Sequence, residues 1–260
     1  MDYRFLLKPR WITFLLVGAI LAVAFTFLGF WQLYRLEQRK ASNQLIQNRI
    51  AEAPQGLLDL ASRYSSEGSA FDKNSIAYRQ TFITGQYDGA SEVLLRSTKN
   101  YDGQPGYYLL TPLILQDNQA VLVMRGWVPF ELNTPPVKEA TPPEGDTKIS
   151  GRIELEQKPS TGFLSALTPR DPTGKLAITA YIDTVRLEQQ MPYDLLPFYI
   201  SLENQTPAQS LDLPRPMPRL EFSDGSHLGY AIQWFSFTLI GVAGYVLLIR
   251  KAARDQQVGG

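Results

Sequence analysis

His227 is the only histidine in the chain, so it is the one imidazole that could act as a general base or bind a metal. It lies at the start of a long apolar run, and at helical spacing its face is shared with Tyr230, Ala231 and Trp234. An imidazole above two aromatic rings could hold a flat, apolar ring whose iron is bound by histidine. In the other interpretation, His227 faces lipid headgroups, and Tyr230 and Trp234 belong to an ordinary aromatic belt.

A second candidate site lies in the segment VLVMRGWVP, at residues 121–129. Arg125 and Trp127 share one face if this strand is regular. Arg125 could then bind an anion such as a propionate, because a guanidinium suits carboxylate geometry, and Trp127 could stack on a ring. Alternatively, Arg125 forms a salt bridge and Trp127 belongs to the core.

Several classes of chemistry are excluded by composition. The chain has no cysteine, which rules out disulfides, iron-sulfur clusters, a cysteine nucleophile and covalently attached c-type haem. It also lacks a GxSxG motif, and its single histidine lies beside an apolar run, so hydrolytic chemistry has little support. Copper carriage would depend on one histidine and four scattered methionines. A serine and lysine dyad stays compatible with the composition, although no spacing suggests one.

Two apolar segments near the ends of the chain must position these residues. Between Arg10 and Arg35 lie 24 uncharged residues, and Leu228–Ile249 forms a second uncharged run of 22. At about 1.5 Å per residue, either run can cross a hydrocarbon core of about 30 Å. The sequence therefore predicts transmembrane helices at residues 11–34 and 227–249.

The first run also allows a different interpretation, a cleaved signal peptide. Three basic residues precede it, and Ala22-Val23-Ala24 resembles a peptidase site. However, the apolar run continues for ten residues beyond Ala24, which favours a spanning helix.

The distribution of charge predicts the orientation of the chain. Arg250, Lys251 and Arg254 follow the second helix, and the positive-inside rule places residues 250–260 in the cytoplasm. Two crossings then put residues 1–10 on the same side and the domain at 35–226 in the periplasm, or in the intermembrane space of a mitochondrion. From Ala41 to Ser226 the chain has 16 basic and 22 acidic residues, and this acidic balance argues against nucleic-acid binding.

The middle of the chain has the texture of antiparallel strands joined by turns. A polar helical extension is expected over 36–52, ended by Pro54. Strands are predicted near 78–87, 92–98, 107–115, 120–128, 147–155, 177–185 and 198–202. The predicted fold class is thus a membrane protein whose two transmembrane helices flank a mainly antiparallel β (α+β) extracytoplasmic domain, as a small sheet or partly closed barrel.

Four segments, in this order and spacing, carry a resemblance to a known family. They are LGFWQLYRLEQRK (28–40), GYYLLTPLIL (106–115), VLVMRGWVP (121–129) and HLGYAIQWF (227–235). Together they resemble the Surfeit locus protein family, which comprises Shy-type assembly factors of haem-copper cytochrome c oxidases. The resemblance covers nearly the whole chain.

The resemblance implies a maturation factor of the bacterial or mitochondrial inner membrane that helps to deliver or insert haem a into the catalytic subunit of the oxidase. His227 matches the histidine proposed in bacterial members as the haem ligand, and Arg125, Gly126 and Trp127 match the RGW block of the family. Ser226 departs from the family pattern, in which an asparagine or similar polar residue is expected.

Several expectations follow from the resemblance. Haem a would be held non-covalently, and the partners would be the oxidase catalytic subunit, haem a synthase and membrane lipid, with no nucleic acid. A bacterial source is expected because no mitochondrial presequence precedes the first helix. Two functions stay open: a non-enzymatic factor that handles haem, and a membrane scaffold that stabilises oxidase assembly intermediates without binding haem.

Overall fold

The computed structural model describes residues 4–63, 73–96, 101–157, 171–218 and 220–258. Its helices are α1 (Pro9–Ala51), α2 (Leu57–Arg63), α3 (Lys73–Ile76), α4 (Thr184–Glu188) and α5 (His227–Val258). Its strands are β1 (Gln55–Gly56), β2 (Gln80–Tyr87), β3 (Val93–Arg96), β4 (Gly106–Ile114), β5 (Gln119–Pro129), β6 (Asp146–Leu155), β7 (Ile178–Thr179) and β8 (Asp194–Thr206). The chain divides into two compact units: a helical unit, which extends to Leu45 and resumes at Glu221, and a β unit at Ile46–Leu220.

The helical unit is built from α1 and α5. The two helices contain 43 and 32 residues, or about 64 Å and 48 Å at 1.5 Å per residue. Both are long and apolar enough to cross a membrane, and the predicted spans 11–34 and 227–249 lie within them. Helix α1 continues to Ala51, which confirms the predicted polar extension.

Small residues and aromatic rings pack α1 against α5. A Cβ atom on Gly29 would lie 2.5 Å from the ring of Phe235, and one on Gly18 would lie 2.3 Å from the ring of Tyr245. Phe14 stacks on Tyr245 with ring centroids 4.4 Å apart. Phe14 and Gly18 precede the Ala22–Ala24 segment, so the packed helix pair includes residues on the N-terminal side of that segment.

The β unit is a partly closed barrel. In the described residues, the strands form one sheet in the order β1-β2-β6-β8-β5-β4-β3-β7, and an additional pairing of β2 with β4 closes a ring. The β1–β2, β3–β7 and β5–β8 pairings are parallel, and the other described pairings are antiparallel. The prediction of a mainly antiparallel α+β domain is confirmed.

Two large clusters of buried side chains lie on opposite faces of this sheet. The first takes residues from β4, β5, β6 and β8, together with Leu57 and Leu60 of α2, so it fills the interior of the ring. The second lies on the outer face of β3, β4, β5 and β8, where Leu176, Ile182 and Leu187 cover it. Successive side chains of β4 and β5 therefore belong to two different cores, because both faces of these strands are buried.

The predicted elements differ from the structure mainly at the C-terminal end of the β unit. The strand predicted at 177–185 is wrong beyond Thr179, because the Asp183 side chain accepts a hydrogen bond from the Arg186 N–H and caps α4. The last strand is longer than predicted and runs over Asp194–Thr206. Residues 97 and 98 of the strand predicted at 92–98 lie outside the described residues.

Candidate functional site

His227 is the first residue of α5, and its imidazole is hydrogen-bonded to α1. The distance from His227 Nδ1 to Gln32 Oε1 is 2.8 Å. Because an amide oxygen only accepts hydrogen bonds, this arrangement places the ring hydrogen on Nδ1. Nε2 has no hydrogen-bond partner among the described residues, and the ring orientation is fixed by a neighbouring helix, as in histidine ligands of metals.

An open groove of about 440 Å³ adjoins this imidazole. It is lined by Arg35, Gln38, Arg39, Ser42, Gly225 and His227, and we call it the His227 groove. Gln32, Arg35 and Arg39 follow one another at spacings of three and four residues, so they lie on one face of α1. The wall that faces His227 is therefore cationic and polar, directly beyond the apolar run of the helix.

The aromatic residues predicted to flank His227 lie in different surroundings. Trp234 is half-buried against α1, with its ring centroid 5.4 Å from that of Phe25, and Ala231 is fully buried. Tyr230 is 49 % exposed, so about half of its side chain remains accessible. Tyr230 is the ring that stays open to a ligand, whereas Trp234 supports the helix pair.

Arg125 lies at a β-bulge in β5. In the pairing of β4 with β5, Leu109 is opposite Gly126 and Leu110 is opposite Met124. Arg125 is consequently an extra residue without a partner on β4. A bulge of this kind changes the direction of a side chain and reverses the alternation of the residues that follow.

The Arg125 side chain is completely buried in the β unit. Its Nη1 lies 3.4 Å from Glu92 Oε2, and its Nη2 donates to Gln209 Oε1 at 2.9 Å. The guanidinium also lies over the ring of Tyr87, 5.3 Å from its centroid. Nε is the guanidinium nitrogen of Arg125 with no hydrogen-bond partner in the described part of the chain. Arg125 therefore has a carboxylate and an amide of this chain as its immediate partners.

Glu92 holds three parts of the β unit together. Its carboxylate accepts hydrogen bonds from Thr111 Oγ1 at 3.0 Å and from the Val137 N–H at 2.9 Å, in addition to the contact with Arg125. Burial raises the pKa of Glu92, and the Val137 N–H and Arg125 oppose that rise. Such a carboxylate needs all of its partners, because a buried charge without them is costly.

Trp127 lies on the other face of β5 from Arg125. It pairs with Tyr108, whereas Arg125 shares Glu92 with Thr111, and positions 108 and 111 of a strand point to opposite faces. Arg125 and Trp127 therefore lie on opposite faces, because the bulge removes the regular strand on which their shared face depended. The Trp127 ring stacks on Tyr101 with centroids 5.2 Å apart.

The structure explains why the middle residue of the RGW block, Gly126, is a glycine. Its φ is +151°, and a Cβ atom there would lie 2.2 Å from the carbonyl oxygen of Arg215. The close approach allows Trp127 and Arg215 to exchange two backbone hydrogen bonds of 2.8 Å each. In the structure, then, the RGW block joins the sheet to the proline-rich segment around Arg215.

The structure brings His227, Tyr230 and Trp234 together in the helical unit and places Arg125 in the β unit. Sequence reasoning missed Gln32, Arg35 and Arg39, although their helical spacing was visible. It also missed Glu92, whose partnership with Arg125 depends on a strand pairing that no local pattern shows.

The two long apolar helices and the α+β unit between them define a membrane protein with two candidate spanning segments. Within that class, residues 19–239 match the SURF1 family, so the chain belongs to the SURF1 family and the predicted resemblance is confirmed.

Relatives from two bacterial genera illustrate this membership. A SURF1-like protein of Rickettsia felis is 27% identical over 238 residues, which is 89% of this chain and 96% of the relative. A SURF1-like protein of Rickettsia prowazekii is 29% identical over 86% of this chain and 85% of its own length. An uncharacterized SURF1-like protein of Mycobacterium bovis is 27% identical over 98% of this chain and 90% of its own length.

Proposed function

We propose that this protein is a non-enzymatic assembly factor for a haem-copper cytochrome c oxidase. It binds haem a non-covalently through His227 and aids delivery or insertion of the haem into the catalytic subunit. The observation that carries this proposal is the imidazole of His227, which is fixed by Gln32 at 2.8 Å through Nδ1 and has Nε2 available beside an open groove. Membership of the SURF1 family supports the oxidase as the destination.

The residues around the groove fit the chemistry of haem. A histidine nitrogen is a common axial ligand of haem iron, and His227 would bind the iron of the haem in this way. Tyr34 and Leu228 adjoin groove residues in sequence, and Tyr230 follows His227 by three residues; all three are about half exposed. Apolar surface of this kind contributes about 25 cal/mol per Å² when a macrocycle covers it. We leave Arg125 out of this site, because Glu92 and Gln209 already occupy its Nη1 and Nη2.

The proposed location is a bacterial inner membrane, with both termini in the cytoplasm and the β unit in the periplasm. Arg250, Lys251 and Arg254 support this orientation. A periplasmic reporter inserted within residues 134–146 should be active, and one fused after Arg254 should be inactive; activity of the second fusion would overturn the orientation. Haem a synthase and membrane lipid are the further partners that we propose.

The test of haem binding is the axial-ligand spectrum of the purified, full-length protein from cells that make haem a. His227→Ala should abolish or shift the Soret band and remove the signature of histidine ligation. Tyr230→Phe is a matched control on the same helix and should retain the signature. An unchanged ligand spectrum in the His227→Ala variant would overturn the assignment.

A second test separates haem handling from the scaffold alternative. Deletion of the gene should lower the activity of an aa-type oxidase and leave b-type and c-type cytochromes intact. Oxidase loss that is fully rescued by the His227→Ala variant would instead favour a scaffold that stabilises assembly intermediates without binding haem.

A further inference from the structure

The wall of the His227 groove carries two arginines that lack an acidic partner. Arg35 Nη1 donates to Gln38 Oε1 at 2.9 Å, and Arg39 Nε donates to the carbonyl oxygen of Ser223 at 3.3 Å. Both acceptors are neutral, and no carboxylate lines the groove. Among the described residues neither guanidinium forms a salt bridge, so both have N–H donors that no carboxylate of this chain uses.

The order of residues along α1 gives the groove a polarity. Gln32, which is hydrogen-bonded to the imidazole, lies near the end of the uncharged run of the helix. Arg35 and Arg39 lie about 4.5 Å and 10.5 Å further along the helix axis. An occupant bound by His227 therefore meets apolar surface on one side and cationic surface on the other. The ligand that fits is a flat apolar ring with anionic groups confined to one edge.

We propose that Arg35 and Arg39 bind the two propionate carboxylates of the iron porphyrin whose iron His227 binds. This inference rests on the proposed function, since it concerns the same site. The planar guanidinium presents paired N–H donors that match a carboxylate, and such charge-assisted hydrogen bonds are about twice as strong as neutral ones. The arginines fix the direction of the ring: the propionate edge points toward water and the apolar edge toward the membrane.

The experiment measures the affinity of the full-length protein, in nanodiscs of zwitterionic lipid, for an iron porphyrin diacid and for its dimethyl ester. Wild type should bind the diacid about tenfold or more tightly than the ester, because esterification removes both carboxylates. The Arg35→Gln/Arg39→Gln variant should lose about the same factor for the diacid and nothing for the ester. The Soret band and ligation state should be unchanged in that variant, because His227 is intact.

Lys40→Gln is the matched control, since Lys40 is an exposed cation of α1 that does not line the groove. It should bind both porphyrins as wild type does. If the double variant weakened diacid and ester equally, the arginines would act on the fold of the groove and the proposal would be wrong.

Two further outcomes identify other sources of failure. Equal binding of diacid and ester by wild type would overturn the proposal. Phosphatidylglycerol that co-purifies with wild type from the cell membrane, but not with the double variant, would then assign the arginines to lipid phosphate. Absence of a histidine-ligated iron signal in wild type with either porphyrin would overturn the proposed function itself.

Discussion

The arginine of the β unit and the arginines of the helical unit have contrasting surroundings. Arg125 is buried, and its Nη1 and Nη2 contact Glu92 and Gln209. Arg35 and Arg39 are exposed on a groove and contact a neutral amide and a carbonyl group. The same side-chain chemistry therefore serves the fold in one region and is available to a ligand in the other.

The difference shows that residue type alone does not identify a binding site. A guanidinium whose N–H donors already contact a carboxylate of the chain has fewer donors left for an external carboxylate. Burial reinforces this distinction, because a buried cation must be paired within the protein, whereas an exposed cation can remain solvated until a ligand arrives. Arg125 lies in a family motif and contacts a carboxylate and an amide of this chain. Arg35 and Arg39 were not singled out by sequence reasoning, yet they line the candidate site.

The largest expected effect is at Arg125. Arg125→Leu should lower the free energy of unfolding by about 3–5 kcal/mol, because it leaves the buried Glu92 carboxylate without its counter-charge. Chemical unfolding of the full-length protein in detergent, followed by tryptophan fluorescence, measures this loss.

The Glu92→Leu/Arg125→Leu double variant is the matched control. It removes both charges and should be less destabilised than the single variant. A loss of less than about 1 kcal/mol for Arg125→Leu is typical of an exposed ion pair. Such a result would contradict the contrast between Arg125 and the groove arginines.

A smaller effect is expected at Gly126. Gly126→Ala should cost about 2–3 kcal/mol, because its Cβ would contact the Arg215 carbonyl oxygen and its φ is one that L side chains rarely adopt. Gly145→Ala separates the two causes: Gly145 also has a positive φ, but a Cβ there has open space. Equal costs for the two variants, measured by the same unfolding assay, would show that the approach of Arg215 contributes nothing.

The smallest expected effect is at the groove. Arg35→Gln and Arg39→Gln should each change the free energy of unfolding by no more than about 0.5 kcal/mol, as is usual for exposed positions without an ion pair. Thermal unfolding of each variant beside Lys40→Gln measures this. A loss comparable to that of Arg125→Leu would mean that the groove arginines are structural as well, and the contrast between the two regions would disappear.

Much of the fold could be predicted from local patterns. The apolar runs at 11–34 and 228–249 predicted the two long helices. Short β-branched and aromatic segments predicted β2, β4, β5 and β6 to within two residues, and β8 only in its middle. Asp183 misled the prediction at 177–185, since its role as a helix cap depends on the helix that follows.

The candidate site could be predicted only in part. His227 was visible because it is unique in the chain. The partner that orients it, Gln32, lies 195 residues away in sequence. The pattern within one segment does not show how one helix packs against another. Glu92 and Arg125 are likewise joined by tertiary structure. Sequence patterns thus identified side chains that could do chemistry, whereas their partners depended on the fold.

The bulge at Arg125 has a consequence for how the chain can change in length. Before the bulge, Val121 and Val123 fill the ring interior; after it, Val128 packs with Tyr107 and Leu109 on the corresponding face of β4. Deletion of a single residue between Met124 and Trp127 would restore regular alternation and exchange the faces of Trp127 and Val128. A substitution in this segment alters the contacts of one residue. An insertion or deletion of one residue would exchange the buried faces of all the residues that follow it in the strand. Among homologous chains, alignment gaps should therefore fall in the flanking loops and not within this strand.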